Sequence, residues 1–421
     1  MALGNKMIDS NAAVTLSPSK NKLVKIGCNV HKFGGSSLAT SACIERVVEI
    51  IRQHCQLNDI IVVSANGNTT DVLFKLYQIA VELQEVTLLN SEQTSSSKEV
   101  NTLHRQLFEA ISALEIAQAA LIDELLNASS AARLKSLLSD NIGQISANLL
   151  SDPVSYENDL LAFGEVWSAR LLSAVLSESV CPSYMLDARD FLLLEDEKNC
   201  AIDYSASEKG FSQLREKDKL IIVTGYIARN TQQQACTLGR NGSDYSATIM
   251  AALSGAGNVT LWTDVDGIYS ADPRVVPSAR KLHRLPNAVA NELGRLGNPV
   301  LHAKTLQPLT NHNTHLHVAS SFAPDISGSE IGKFGQIAKQ ELSVTSLNDL
   351  ILAKSASFLA KSGELAASEF SPVCYNLDEG YIVVPQAQQK SVSQWLASHD
   401  TEVTFKPVAI IAIVGHSVAK Q

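Results

Sequence analysis

The sequence predicts a three-layer αβα fold with a mostly parallel central sheet, followed by smaller α+β modules of ferredoxin-like type. Three observations predict it. Apolar runs of strand length alternate with stretches whose apolar residues recur at helical spacing. The clearest run, Ile60-Ile61-Val62-Val63, is apolar without alternation, as a strand covered on both faces requires. Beyond residue 329 the texture changes to short strands and helices packed into about eighty residues.

Taken in order, residues 1–22 read as a loose polar tail without a hydrophobic leader core. A strand at 23–30 runs into His31-Lys32-Phe33-Gly34-Gly35-Ser36-Ser37, a glycine turn ahead of a helix at 42–53 striped by Ile44, Val47, Val48 and Ile51. A strand at 59–64 ends in the polar loop 65–71, before a helix at 72–86. Residues 87–150 show no clear strand; a polar loop at 91–97 and two or three helices are expected. The helix at 156–177 buries a leucine-rich stripe and carries Phe163-Gly164-Glu165 inside it. Strands follow at 183–187, 220–225 and 259–264, the last ending in the turn Val265-Asp266-Gly267 and an irregular loop, 268–274. A β-rich run ends at Leu238, and Gly239-Arg240-Asn241-Gly242-Ser243-Asp244 then opens an apolar helix that ends at the turn Gly255/Gly257. Helices at 288–296 and 301–309 and a strand at 316–320 complete a domain spanning 23–325, with the loop 322–329 as its boundary. In 335–421, strands at 341–347, 350–354, 380–384 and 408–414 accompany helices at 356–365 and 388–398.

The chain has 421 residues and a net charge of −9, and no Lys/Arg cluster stands out. A nucleic-acid or acidic-membrane partner is therefore not expected. Cations that meet an anionic ligand must be placed singly, which raises interest in isolated Lys and Arg residues in loops. Seven scattered cysteines, with no paired spacing, read as reduced cytosolic thiols rather than a disulfide frame or zinc site. No apolar run approaches about 18 residues, so no membrane-spanning helix is expected.

Ligands of open parallel sheets sit at the C-terminal ends of the strands. Five loops leave such ends here: 32–37, 64–70, 225–230, 239–244 and 263–274. Together they offer two glycine turns, a lysine, three arginines and several carboxylates, a set suited to phosphoryl transfer. The run 239–244 reads equally as a seat for phosphate oxygens at a helix start and as a plain N-cap made by Ser243 or Asp244. A lone Lys32 is more often a solvated strand end; its place before Gly34-Gly35 argues for phosphate. There is no P-loop, no protein-kinase motif set and no dinucleotide glycine fingerprint.

Four segments in this order, HKFGGSS, FGEVWSAR, LGRNGSDYSA and WTDVDGIYSADPR, make the chain similar to aspartate kinases of the amino-acid kinase family. The resemblance covers roughly 30–321, with a weaker likeness of the tail to regulatory ACT modules. VWSARLLSAVL and PVLHAKTLQP are closest to the kinase portion of two-activity enzymes of the methionine branch, where a dehydrogenase domain follows. That implies either a dehydrogenase domain beyond Val414-Gly415 or a kinase-only relative.

The resemblance implies transfer of the ATP γ-phosphoryl group to the β-carboxylate of L-aspartate, with Mg²⁺ bridging the phosphates and no dedicated protein metal site. Lys32 would neutralise the transferred group, and Gly34, Gly35 and Ser36 would cradle phosphates. Ser64 and Thr70 would lie near aspartate. Glu165 would bind its α-ammonium, against the common fate of a lone helix glutamate at the surface. Arg240 would hold its carboxylate, and Ser243 and Asp244 would orient it, with Asp244 meeting Mg²⁺ indirectly. Thr263, Asp264, Tyr269 and Arg274 would serve the nucleotide; Asp266-Gly267 reads as a turn only.

Two positions depart from the family. Phe163 stands where a histidine is usual, and Pro299 replaces the nucleotide-site lysine, with Lys304 a turn later as a stand-in. Those departures keep a non-catalytic amino-acid sensor open as an alternative, beside a kinase for another small acid. Paired strands in the tail imply a homodimer or larger assembly.

Overall fold

Strand β1 (Val30–Phe33) is buried along its whole length and organises the sheet around it. The computed structural model describes residues 27–90, 97–197, 200–334, 342–355, 358, 370, 372–376, 379–397 and 403–415. The expected tail 1–22, and most of the expected loop 91–97 and helix 356–365, lie outside them.

The other strands of the larger domain are β2 (Ile60–Val63), β3 (Ser183–Leu186), β4 (Leu194–Asp196), β5 (Ala201–Ile202), β6 (Leu220–Thr224), β7 (Ile227–Arg229), β8 (Ala235–Thr237), β9 (Asn258–Thr263), β10 (Ile268–Tyr269), β11 (Lys281–Leu282), β12 (Arg284–Pro286), β13 (His315–Ser320) and β14 (Ser329–Gly332). Eight of them form one sheet in the order β12-β14-β13-β9-β1-β2-β6-β3. Six run parallel, and β12 and β14 run against them at one edge. The chain places β2 on one side of β1 and later returns β9 to the other, so β1 flanks the point where strand order reverses. Open sheets bind ligands at such a point.

The helices are α1 (Ser41–His54), α2 (Thr69–Asn90), α3 (Ser97–Leu125), α4 (Ala128–Ser151), α5 (Glu157–Ser179), α6 (Tyr204–Leu214), α7 (Gly242–Ser254), α8 (Asn287–Arg295) and α9 (Ala303–Leu306). Side-chain alternation along the strands divides the core in two. Val30, Ile60, Val62 and Val259 face a layer with α7 and α8, while Phe33, Ile61 and Val63 face α1 to α5. Local chemistry marks several ends. Thr40 caps α1 through the Cys43 N–H, Asn127 caps α4 through Ser129 and Ser130, and Gly255 closes α7 in a left-handed conformation, φ 68°.

Several expectations change. Of the strand expected at 23–30, residues 23–26 lie outside the described ones, and the first described strand is Val30–Phe33, so Lys32 lies inside a strand instead of in the loop after it. Helix α2 starts at Thr69, which moves Thr70 from a loop into a helix. The expected helix at 301–309 is only the short α9 followed by a 3-10 turn with Pro308 inside it. The loop 322–329 is no boundary: it joins β13 to β14 in a hairpin, and the main sheet continues to Gly332. Helix α5 is long and apolar enough to cross a membrane, contrary to the sequence count, but 83% of its apolar window is buried in the protein core.

The C-terminal part is a four-stranded antiparallel sheet with a helix, Gln389–Ala397, packed on it. Its strands are β15 (Leu342–Lys354), β16 (Cys374–Asn376), β17 (Tyr381–Pro385) and β18 (Thr404–Gly415), in the order β16-β17-β15-β18. Two strands expected at 341–347 and 350–354 are one: a bulge between Leu347 and Leu350, with Asp349 at φ 56°, absorbs the break while β18 runs on unbroken. Ile351, Ala353, Phe358, Ile382, Val384, Val392 and Leu396 give this module its own core.

Candidate active site

The site assembles at β1 because three turns converge there. Gly67 N–H donates to the Gly35 carbonyl (3.0 Å), Ser64 N–H to Phe33 (3.1 Å) and Gly225 N–H to Val63 (2.9 Å). A Cβ at position 35 would sit 2.8 Å from the Gly67 carbonyl oxygen, and one at 225 would sit 2.7 Å from Ser243 Cβ. Only glycine lets these backbones meet.

Lys32 is almost fully enclosed, and its Nζ lies 2.6 Å from Asp244 Oδ1. Asp244 reaches it from the first turn of α7, whose N-cap residue is Asn241 in the left-handed conformation, φ 57°. No side chain caps that helix start, so the plain-cap reading of Ser243 or Asp244 is excluded; the Gly242 N–H is taken by the Gly239 carbonyl (2.9 Å), which leaves those of Ser243 and Asp244 at a positive dipole end. The turn at Gly35–Leu38 is likewise uncapped. Gly34 N–H is directed at the Trp262 carbonyl (3.4 Å), which corrects its expected part in the cradle and leaves that to Gly35 and Ser36.

Glu165 is not a surface glutamate: it is 2% exposed in the middle of α5. Gly164 explains how it gets there, because a Cβ at 164 would stand 2.8 Å from Ala65 Cβ. The helix backbone thus presses on the 65–69 loop, and Ala65 N–H meets the Glu165 carboxylate. Burial raises its pKa well above the ordinary range, opposed by the charge of Lys32 and by the Ala65 bond. Its Oε2 has no hydrogen-bond partner. One lysine therefore serves two carboxylates, and the Lys32–Asp244 pair already neutralises itself.

Arg240 is exposed at the mouth. Its charge, with that of Lys304, lowers the pKa of His302 after the larger effect of burial, and Asp244 opposes them. That places Arg240 in the same electrostatic neighbourhood as Asp244. Lys304 is no free stand-in for the missing lysine at 299: Nζ donates to the Leu238 carbonyl (3.2 Å) and lies 5.3 Å from the Tyr245 ring centroid. It braces the strand that feeds the glycine turn. Ser243 is buried, Ser64 and Thr70 are half-buried around the 65–69 loop, and Ser36 is exposed.

The loop after β9 is more self-contained than expected. Thr263 Oγ1 donates to Asp264 (3.1 Å), the Tyr269 hydroxyl to Asp266 (2.9 Å), and Arg274 forks onto Asp272. Tyr269 and Arg274 are therefore engaged inside their own loop. Asp266, read as a mere turn residue, pairs with Lys281 at 2.6 Å and anchors it. Its partner arrives from β11, fifteen positions on, beyond any local pattern. Asn66 and Tyr226 were also missed. Asn66 Nδ2 bonds the Leu38 carbonyl (2.9 Å) and leaves Oδ1 buried and unpartnered. Tyr226 adopts φ 65°, packs over Gly242 and senses the Glu165 charge. A bulky residue in that conformation beside a cleft is a signal only coordinates reveal.

A mostly parallel open sheet whose central strand carries an enclosed lysine beside two uncapped glycine turns defines an α/β protein with a ligand site at its strand ends. More narrowly, the chain belongs to the amino acid kinase family, whose model matches residues 27–320. It is 38% identical to bifunctional aspartokinase/homoserine dehydrogenase 2 of Escherichia coli K12 over 351 residues, which is 82% of this chain and 41% of that protein. It is 32% identical over 304 residues to the chloroplastic bifunctional aspartokinase/homoserine dehydrogenase 2 of Arabidopsis thaliana, covering 70% of this chain and 31% of that one. The chain thus spans less than half the length of these relatives. Among solved structures, E. coli aspartokinase III in complex with aspartate and ADP superposes with a TM-score of 0.75 at 24% identity, over 94% of this chain and 89% of that one. That likeness carries the fold, the C-terminal α+β part included.

Proposed function

We propose that the chain is an aspartate kinase, transferring the γ-phosphoryl group of ATP to the β-carboxylate of L-aspartate to give 4-phospho-L-aspartate and ADP. The observation that carries the reading is the buried, half-partnered carboxylate of Glu165 beside the Lys32–Asp244 pair. A substrate ammonium on Oε2 completes both the hydrogen bonding and the charge count; an acetylated amine does neither.

The acceptor carboxylate needs no general base, since its pKa near 3.9 leaves it ionised at neutral pH. Catalysis is positioning and charge neutralisation. Lys32 meets the transferred phosphoryl oxygens, and the N–H groups of Gly35, Ser36 and the α7 first turn hold the others. Arg240 fixes the substrate carboxylate by a two-pronged contact, with Ser243, Ser64 and Thr70 around it. Thr263, Asp264, Tyr269 and Arg274 form the nucleotide side, the last two through the loop they stiffen. Mg²⁺ accompanies the nucleotide, and Asp244, partly exposed at the mouth, is the carboxylate that fits it. Two named relatives unite this activity with a homoserine dehydrogenase, so the reading extends to a dehydrogenase region in the full protein. It also includes a catalytic domain whose sheet ends at Gly332 and a separate C-terminal module that begins with β15, a cytoplasmic setting, and a homodimer or larger assembly.

The test is coupled ADP release with L-aspartate, L-glutamate and N-acetyl-L-aspartate. Turnover confined to L-aspartate supports the reading; turnover on the acetylated acid, or unchanged turnover in Lys32→Ala, contradicts it.

A further inference from the structure

His31 is the residue of the HKFGG motif that the kinase reading leaves unused. It neighbours Lys32 on β1, so its side chain leaves the opposite face of the sheet. There one ligand atom each of His31, Cys55 and Asp59 lies within 4.8 Å of the others. No other such group of three occurs among the described residues. His31 Nε2 is buried and has no hydrogen-bond partner. Three potential donors thus surround a gap that no hydrogen bond among them closes.

We propose that His31, Cys55 and Asp59 bind one thiophilic divalent cation of the zinc class. Zinc bonds of about 2.3 Å to sulfur and 2.0–2.2 Å to nitrogen and oxygen set tetrahedral donors roughly 3.3–3.8 Å apart, a spacing this cluster can adopt. The donor set mixes thiolate, imidazole and carboxylate, which suits zinc and cobalt and not magnesium or calcium. Asp59 is already aimed, since its two oxygens accept the N–H groups of Asn29 (2.7 Å) and Gln56 (2.8 Å). His31 also lines a cavity of about 700 Å³, together with His54, Asn29 and Trp262. His54 flanks Cys55 in the chain and makes a tilted contact with the Trp262 ring at 5.4 Å.

Protonation follows from burial. Desolvation lowers the His31 pKa to about 4, helped by His54 and His317, so the imidazole is neutral at pH 7. Desolvation raises the Cys55 thiol, helped by Asp59 and Cys181, so the thiol keeps its proton until a metal displaces it. Binding therefore releases the Cys55 proton to solvent and forms the metal–sulfur bond. The Trp262 indole N–H donates to His31 Nδ1 at 3.3 Å, which puts the imidazole proton on Nε2. Coordination at Nε2 moves that proton to Nδ1 and opens the Trp262 bond. The cation ties the turn between α1 and β2 to the back of the strand that carries Lys32.

The full chain, stripped with chelator and kept reduced, is titrated with Co(II) and then Zn(II). One equivalent of Co(II) should produce a thiolate charge-transfer band in the near ultraviolet, and Zn(II) should displace it. In ¹⁵N spectra the Trp262 indole resonance should move with Zn(II) while those of Trp167 and Trp395 stay. Cys55→Ser should abolish the band and weaken Zn(II) binding at least tenfold; Cys374→Ser, at an exposed thiol, should change neither. Absence of the band in the unmodified chain, or its survival in Cys55→Ser, overturns the proposal. If Cys55→Ser does not fold, a Trp262 resonance unmoved by Zn(II) in the unmodified chain overturns it on its own.

Discussion

Lys32, Asp244 and Glu165 form a charge arrangement that is incomplete by one cation, and this sets two measurable behaviours. Lys32→Ala removes the one cation that both Asp244 and Glu165 feel. It should lower turnover by at least about 10²–10³-fold, the scale of one lost electrostatic contact to a transition state. It should also destabilise the fold by about 2–4 kcal/mol, because breaking an enclosed pair strands the remaining charge; steady-state kinetics and urea melts report the two separately. Glu165 acts in the opposite sense. Its folded pKa is raised by burial, so the folded chain holds that proton to higher pH than the unfolded chain does. Stability therefore falls as pH rises from the unfolded value, near 4.3, through the folded one. Glu165→Gln should remove that slope and gain about 1–3 kcal/mol at pH 8 while abolishing turnover. Saturating L-aspartate should flatten the same slope in the unmodified chain. A pH-independent melting curve for the unmodified chain between pH 5 and 8 is the outcome that contradicts it.

At the scale of elements, the site depends on turns that touch through glycine. Gly35→Ala must push the 65–67 backbone away, since its Cβ would meet the Gly67 and Ala65 carbonyl oxygens at 2.8 and 3.1 Å. Overpacking of this kind costs about 1–3 kcal/mol, and the displaced Gly35 and Ser36 amides should raise the ATP KM more than the aspartate KM. Lys281→Met tests the proposed nucleotide role of the loop after β9: removing the partner of Asp266 loosens the Tyr269 segment, and should raise the ATP KM about tenfold with little change in unfolding temperature. These elements were legible to different degrees. Runs such as Ile60–Val63 announce a buried strand by composition, and α5 announces itself by its stripe. Short strands such as β4, β5 and β7 escaped because two or three residues carry no period. Helix α6 escaped as well, its polar face outnumbering the buried Ser207 and Phe211.

At the scale of the molecule, the C-terminal module meets the larger domain at the loop after β9. Val344 N–H donates to the Ser270 carbonyl (2.6 Å), and the Ser343 hydroxyl donates to the carbonyls of Tyr269 and Ser270 at 3.3 Å. Strand β18 closes the four-stranded sheet with an outer edge that no strand among the described residues pairs, and shows Ile411 and Ile413 at 76% and 57% exposure. A long apolar edge of this kind is a template for pairing with another copy. Ile411→Lys should convert a dimer to monomers in sedimentation velocity without lowering the melting temperature of the larger domain. A sedimentation coefficient identical to the unmodified chain would count against β18 as the contact.

The residues alone determined the α/β class and the glycine turns, and the resemblance of four short motifs to aspartate kinases singled out Lys32, Glu165, Arg240 and Asp244, because strand composition, helical spacing and short motifs are local properties of a chain. Tertiary structure decided what those residues meet. That Lys32 lies within its strand and pairs with Asp244, that Glu165 is buried with one oxygen unpartnered, and that Lys304 is spent on bracing Leu238 all depend on contacts between segments far apart in sequence. The same holds for His31, Cys55 and Asp59, where strand alternation sends neighbouring side chains to opposite faces of one sheet.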